Sequence, residues 1–345
     1  MRIYGLDFTS TPTPRKPITC AVGVFEENTL TVQESSCFPD FSGFETFLKS
    51  DGPWIAGLDF PFGQAAKLIQ NMKWGSTWEH YVSLISKQSM QDFAQRLETY
   101  RTPRSKGDKQ HLRITDEYAG SRSPMMMFGV PVGRMFFQGA PRLLESGVSV
   151  LPCHPTASNR IVVEAYPKLV ARKWIGAGSY KSDISEKQAS TQHEQRQKIV
   201  EGIRLEGEKH YGFHLALSDD LANAVIGNQS GDALDAVLCA IQAAWAYARR
   251  ESDFGIPADC NPLEGWIVDP DCLAHKVQQQ WTPASNGFYA DFENGRGAVT
   301  NEVAYQFLGW LAYENLVTKI TKLPNCADDT ALQVADIGCY LGAST

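Results

Sequence analysis

Short apolar runs near the start of the chain alternate with turn-forming residues and predict a group of β-strands. Residues 2–8 form the first run, and a turn-rich stretch separates them from two more, ITCAVGVFEEN and TLTVQESSC. Only a short break at residues 26–28 divides those two runs, which favours an antiparallel hairpin. A helix in DFSGFETFLKS and a strand in PWIAGLDFPFG follow, an order that α/β domains with mixed sheets use.

The pattern changes in the middle of the chain. Residues 64–120 are polar and predict helices, whereas residues 125–152 predict strands and turns with one short helix. The run NRIVVEAYP predicts a strong strand, after which the pattern is helical to about residue 211. The run EGWIVDP predicts a last short strand or an extended tail to the sheet.

The segment GDALDAVLCAIQAAWAYARR, residues 231–250, predicts a helix that is apolar on nearly all sides. Such a helix is normally buried. Asp232 and Asp235 nevertheless stand three residues apart in its first turn. A favourable interaction with the helix dipole accounts for Asp232. Asp235 faces the same way as Leu238, so that interaction explains it less well.

A shift in composition after Asp271 predicts a domain boundary near residue 270. Residues 1–270 would form one α/β domain, in which residues 63–159 are a large insertion between two strands of the sheet. Residues 271–345 would form a C-terminal extension that is mainly helical.

Composition and charge narrow the class of protein. With 43% hydrophobic and 21% charged residues, the chain of 345 residues is expected to fold around a packed core. Its net charge of −7 argues against a protein that coats nucleic acid through a basic surface, but leaves room for a local basic patch. The eight cysteines form no C-x-x-C pair and have no zinc-ligand spacing. No uninterrupted apolar stretch reaches membrane-spanning length, so we expect a cytoplasmic protein without a membrane partner.

Acidic residues end three of the predicted strands: Asp7, Asp59 and Glu164. Each alone would be an ordinary solvated residue at the start of a loop. Residues at the carboxyl ends of strands, however, line the crevice where α/β sheets bind ligands. Together with Asp232 and Asp235, these acids would place up to five carboxylates in one crevice. Their mutual repulsion predicts a divalent cation, and Mg²⁺ or Mn²⁺ takes oxygen ligands of this kind.

A basic segment, residues 96–122, carries more Lys and Arg than Asp and Glu. Arg101, Arg104 and Arg113 are its candidates for binding substrate phosphates. A solvated surface loop is the alternative interpretation. A second segment, WIGAGSYKS, superficially resembles a phosphate loop but lacks the G-x-x-x-x-G-K-[ST] pattern, so we interpret it as an ordinary loop.

Four motifs in order, YGLDF, GLDFPFG, VVEAYP and DALDAVLCA, resemble the domain-of-unknown-function 429 family, whose members are described as predicted ribonuclease H-like nucleases. The D-x-x-D-A pattern is also similar to the Holliday-junction resolvase branch of that fold. The resemblance implies a ribonuclease H-like mixed sheet flanked by helices.

The same resemblance implies a two-metal site that hydrolyses phosphodiesters, with nucleic acid as the partner. In this site Asp7 would bridge the metals, and Glu164 and Asp235 would complete the ligands. Asp59 or Asp232 would orient a ligand or a metal-bound water. Whether Asp59 or Glu164 is the central acid stays open.

Two other classes of function stay open at this point. The same fold superfamily includes nucleotide-binding and phosphotransfer proteins, which would need glycine-rich turns around a triphosphate. A non-catalytic binding module would carry these carboxylates without chemistry.

Overall fold

Seven strands form one mixed sheet in the computed structural model, which describes residues 1–181 and 190–281, with side chains described to residue 277. In chain order the strands are β1 Arg2–Asp7, β2 Ile18–Glu26, β3 Thr29–Phe38, β4 Trp54–Leu58, β5 Ser149–Leu151, β6 Arg160–Glu164 and β7 His214–Leu217. Their order across the sheet is β5-β6-β4-β1-β2-β3-β7. Strand β2 is antiparallel to its neighbours β1 and β3, and the other pairs are parallel.

Helices cover both faces of this sheet. They are α1 Phe41–Leu48, α2 Ala66–Met72, α3 Trp78–Ser86, α4 Met90–Arg101, α5 Ile114–Ala119, α6 Val132–Ser146, α7 Pro167–Ile175, α8 Ser190–Tyr211, α9 Asp219–Gly227, α10 Asp232–Ala248 and α11 Pro270–Trp281. One hydrophobic core lies between the sheet and α7 to α10, and a second lies between the sheet and α1 to α4 with α6. The predicted mixed α/β sheet flanked by helices is confirmed, and its topology is consistent with the ribonuclease H-like fold.

Two local predictions are wrong. Most of residues 125–152 is the 15-residue helix α6, not strand and turn, although Pro141 lies within it. Position 139 in this helix has no room for a side chain, because a Cβ atom there would lie 2.3 Å from the ring of Phe60. The chain between α8 and α10 also contains β7 and α9. In EGWIVDP, Ile267 makes a single parallel bridge to Glu164, which agrees with the predicted extended tail to the sheet.

Two glycines determine how closely helix α10 approaches the sheet. Gly5 of β1 and Gly57 of β4 are paired in register. A Cβ atom on Gly5 would lie 2.1 Å from the carbonyl oxygen of Ala236, and one on Gly57 would lie 2.4 Å from that of Cys239. Only glycine therefore lets the backbone of α10 lie directly on these two strands. This contact brings the first turn of α10 to the ends of both strands.

The chain divides into two units, Met1–Lys276 and Val277–Thr345. The first contains the sheet, and its α2 to α6 and β5 occupy the stretch between β4 and β6 where the sequence predicts an insertion. The domain boundary near residue 270 stays a prediction, and most of the expected C-terminal extension lies outside the described residues. Within the described part of the chain, no helix has the length and apolar character needed to cross a membrane.

Candidate metal centre

Three aspartates meet at one edge of the sheet. Asp7 ends β1, Asp59 follows β4, and Asp235 lies in the first turn of α10. Each offers one carboxylate oxygen, and these oxygens lie within 4.8 Å of one another. Asp235 is fully buried, whereas Asp7 and Asp59 are partly exposed. We call these three residues the aspartate cluster.

Strand register and helix packing explain why these three aspartates lie close together. The backbone N–H of Asp59 donates to the carbonyl oxygen of Leu6 over 3.0 Å, so the parallel ladder continues to the ends of both strands. Asp7 and Asp59 each stand two residues after the paired glycines Gly5 and Gly57. The close contact of α10 at those glycines then places Asp235 beside both carboxylates.

The pKa values of all three carboxyl groups in the aspartate cluster are raised above their ordinary value. Burial raises the pKa of Asp59 to about 7, with the charge of Asp235 contributing. Burial also raises the pKa of Asp7 well above its usual value, and Asp235, Asp232 and Asp59 add to this while Lys181 opposes it. The pKa of Asp235 rises mainly through burial, again opposed by Lys181. A cation would remove this repulsion, so the cluster is suited to bind one.

The loop before residue 182 supplies two contacts to Asp235. The hydroxyl of Tyr180 donates to Asp235 Oδ1 over 2.6 Å, and Lys181 Nζ forms an ion pair with Oδ2. Burial by itself would lower the pKa of Lys181, but the carboxylates, led by Asp235, raise it well above its ordinary value. The ammonium group is therefore charged. This is the segment that the sequence indicates as an ordinary loop, and no motif in it signals the contact.

Glu164 does not join the aspartate cluster in this arrangement. Its two carboxylate oxygens accept hydrogen bonds from Arg113 Nη1 and Nη2 over 2.8 and 2.6 Å. The backbone N–H of Phe62 donates to Glu164 Oε2 over 3.0 Å. Arg113 also contacts both carboxylate oxygens of Asp116, and all three charged groups are buried. The structure therefore pairs Arg113 and Glu164 with each other, and their expected phosphate-binding and metal-ligand roles stay predictions.

The remaining predicted site residues, Asp232, Arg101 and Arg104, are not part of the aspartate cluster. Asp232 is half-buried in the first turn of α10, where its charge raises the pKa of Asp7 and Asp235. Arg101 pairs with Glu98 over 3.4 Å at the end of α4. Arg104 pairs with Asp108 and lies 4.0 Å from the ring centre of Tyr100. Neither Arg101 nor Arg104 lines the cleft beside the aspartate cluster.

That cleft has a volume of about 380 Å³ and includes Asp59 and Asp235 in its wall. Its basic lining residues are Arg113, Arg122, Lys168 and Lys181, and the acidic residues Asp116 and Glu164 line it as well. An apolar wall comes from the start of α6 and the residues before it, including Val130, Val132 and Met135. Arg122 ends the basic segment 96–122 but is not one of its predicted phosphate-binding residues, and Lys168 belongs to no predicted motif.

The donor set of the aspartate cluster fits a hard divalent cation. Mg²⁺ and Mn²⁺ prefer carboxylate oxygens. With Mg–O distances of about 2.1 Å, opposite ligands in an octahedron lie about 4.2 Å apart. The three carboxylate oxygens lie within 4.8 Å of one another, so a small adjustment of the side chains would let them bind one shared ion.

Replacing Asp59 with asparagine is expected to stabilise the ion-free protein at alkaline pH. The folded pKa of about 7 exceeds the unfolded value of about 3.9. The folded state thus binds more protons between these values, and its stability falls as the pH rises through that window. Asp59→Asn removes this loss, so we expect a gain of roughly 1–2 kcal/mol above pH 7.

Urea unfolding in EDTA at pH 5 and pH 8 measures this effect. Asp51→Asn, at an exposed position, is the matched control and should change stability at neither pH. If Asp59→Asn were no more stable than the wild type at pH 8, the repulsion within the aspartate cluster would be refuted.

Comparison with known proteins provides one match. No curated protein and no solved structure matches the chain. A family model described as protein of unknown function, DUF429, matches residues 16–259. This range contains Asp59 and Asp235 together with most of the sheet and its flanking helices. The chain therefore belongs to the DUF429 family.

Proposed function

We propose that this protein is a metal-dependent hydrolase that cleaves phosphodiester bonds in nucleic acid. The observation that carries the proposal is the convergence of Asp7, Asp59 and Asp235, from two strands and a helix, beside a cleft with basic side chains. Buried carboxylates that repel one another are retained at functional sites more often than elsewhere. A bound divalent cation would neutralise this repulsion and would explain why the three carboxylates lie together.

The three aspartates would hold Mg²⁺ or Mn²⁺ through one oxygen each. When bound, such an ion polarises a phosphoryl oxygen and makes a water molecule a better nucleophile. Arg122 and Lys168 would bind phosphates on either side of the reacting one. Hydrolysis transfers the phosphoryl group to water, and the leaving alcohol takes up a proton.

Nucleic acid would be attracted by basic side chains in the cleft and not by the overall charge of the protein. Its net charge is −7, so attraction to nucleic acid must come from the cleft itself. Arg122 and Lys168 are exposed and line the same cleft as Asp59. Binding through few phosphate contacts would be weak, and its affinity would fall only gradually as the salt concentration rises.

Cleavage of labelled DNA and RNA, single-stranded and double-stranded, tests the proposal. We expect cleavage that requires Mg²⁺ or Mn²⁺ and stops in EDTA. Asp7→Asn should lower the rate by roughly 100-fold or more, because one ligand to the ion is lost. Asp51→Asn should leave it unchanged. Cleavage that persists in EDTA, or equal rates in Asp7→Asn and the wild type, would overturn the proposal.

A further inference from the structure

The contact between Lys181 and the aspartate cluster bears on how many metal ions the centre holds. Lys181 Nζ is paired with the buried carboxylate of Asp235, the one member of the cluster that is fully buried. An ammonium group therefore already occupies part of the space where cations bind. A second divalent ion would have to share that space with it.

We propose that Lys181 is a built-in cation that takes the place of a second metal, so that the centre binds one divalent ion. This inference rests on the proposed function, because it assumes that the aspartate cluster binds a metal. It departs from the two-metal scheme that the family resemblance implies.

Charge balance favours one ion. The three aspartates carry three negative charges, which Lys181 and a single divalent ion neutralise. A second divalent ion would leave an excess of two positive charges at a partly buried site. If half-buried Asp232 is counted as well, one ion leaves one negative charge and two ions leave one positive charge, so the preference for one ion rests on the three aspartates of the cluster. Uncompensated buried charge is strongly unfavourable.

Hydrogen bonds to the backbone of Tyr180 and Lys181 hold this part of the loop in position. Buried Arg196 donates to the carbonyl oxygen of Tyr180 over 2.8 Å, and Gln192 donates to that of Lys181 over 3.1 Å. A Cβ atom on Gly231 would lie 2.6 Å from Lys181 Cβ, so the residue that precedes α10 leaves room for this side chain. Although the Lys181 side chain is 39% exposed, its backbone contacts and the buried carboxylate of Asp235 hold its ammonium group at the cluster.

The neighbouring hydroxyl supports the same arrangement. Tyr180 donates to Asp235 Oδ1 while Lys181 pairs with Oδ2, so this loop engages both oxygens of that carboxylate. Among the described residues of this loop, no side chain donates a hydrogen bond to Asp7 or Asp59, and each of these aspartates has an oxygen that faces the cluster. One ion bound chiefly by Asp7 and Asp59, with Asp235 completing it, would leave the pairing of Lys181 in place.

Mn²⁺ stoichiometry and electron paramagnetic resonance test the inference without any substrate. The wild type should bind one Mn²⁺ per chain and show the spectrum of an isolated ion. Lys181→Met, which keeps the side-chain length but removes the charge, should bind two. Two ions about 4 Å apart are magnetically coupled and change the spectrum. Lys181→Arg should restore a stoichiometry of one.

The matched control is Lys168→Met, which removes a lysine from the same cleft away from Asp235 and should leave the stoichiometry at one. Two ions in the wild type would overturn the inference while leaving the proposed metal centre intact. One ion in a folded Lys181→Met variant would also overturn it. Absence of Mn²⁺ binding in the wild type would overturn both the inference and the proposed metal centre.

Discussion

Replacing Arg113 with methionine is expected to lower the free energy of unfolding by about 3–5 kcal/mol. The Arg113 guanidinium makes paired contacts with Glu164 and Asp116, and Arg113 Nη1 also donates to the carbonyl oxygen of Glu264 over 2.8 Å. Burial by itself would lower the pKa of Arg113, but Asp116 and Glu164 raise it well above its ordinary value. Without Arg113, two buried carboxylates lose the charge that neutralises them.

Urea unfolding at two pH values measures this loss. Burial raises the pKa of Glu164, and Arg113 is the main group that opposes this effect. In Arg113→Met the carboxyl should therefore hold its proton to a higher pH, and the loss of stability should be smaller at pH 5 than at pH 8.

Arg104→Met is the matched control, because Arg104 forms a partly exposed ion pair with Asp108. We expect it to lower stability by less than about 1 kcal/mol. If Arg113→Met were as stable as the wild type but bound nucleic acid more weakly, the structural pairing would be wrong. The phosphate-binding role would then be restored.

Replacing Asp235 with asparagine is expected to weaken Mn²⁺ binding on the order of 100-fold or more, because loss of groups that merely support a metal ligand already weakens binding by 10–100-fold. Asparagine has nearly the same shape, and its amide oxygen can still accept the hydrogen bond from Tyr180. The charge that attracts both Lys181 and the metal is removed.

Calorimetric titration with Mn²⁺ measures the affinity, and thermal unfolding shows that the variant is folded. Asp220→Asn, an exposed change in the first turn of α9, is the matched control and should bind Mn²⁺ like the wild type. Unchanged affinity in a folded Asp235→Asn variant would remove Asp235 from the metal centre.

The sequence predicts the sheet because the information is local. Apolar runs bounded by turn residues identify β1 to β4 and β6, and an apolar helix near residue 240 is visible from composition alone. The strand-end acids correctly indicate the edge of the sheet where carboxylates gather. Helix α6 was mistaken because its glycines and Pro141 resemble turn signals, although each is accommodated by packing.

The exact partners in the centre depend on contacts between distant parts of the chain. Arg113 lies 51 residues before Glu164, and nothing in either local pattern shows that the two will pair. Lys181 reaches Asp235 from 54 residues away through a loop without a motif. The sequence does contain one signal for Asp59, the repetition of GLD in YGLDF and AGLDF. The glycine of each motif packs against helix α10, so the aspartate two residues later lies at the same place on each strand.

The central claim is that Asp59, and not Glu164, holds the metal ion with Asp7 and Asp235. The most direct test is calorimetric titration of Mn²⁺ into Asp59→Asn and Glu164→Gln, each shown to be folded. We predict that Asp59→Asn loses Mn²⁺ binding and that Glu164→Gln, although less stable, keeps it. Binding that is kept in Asp59→Asn and lost in Glu164→Gln would contradict this assignment.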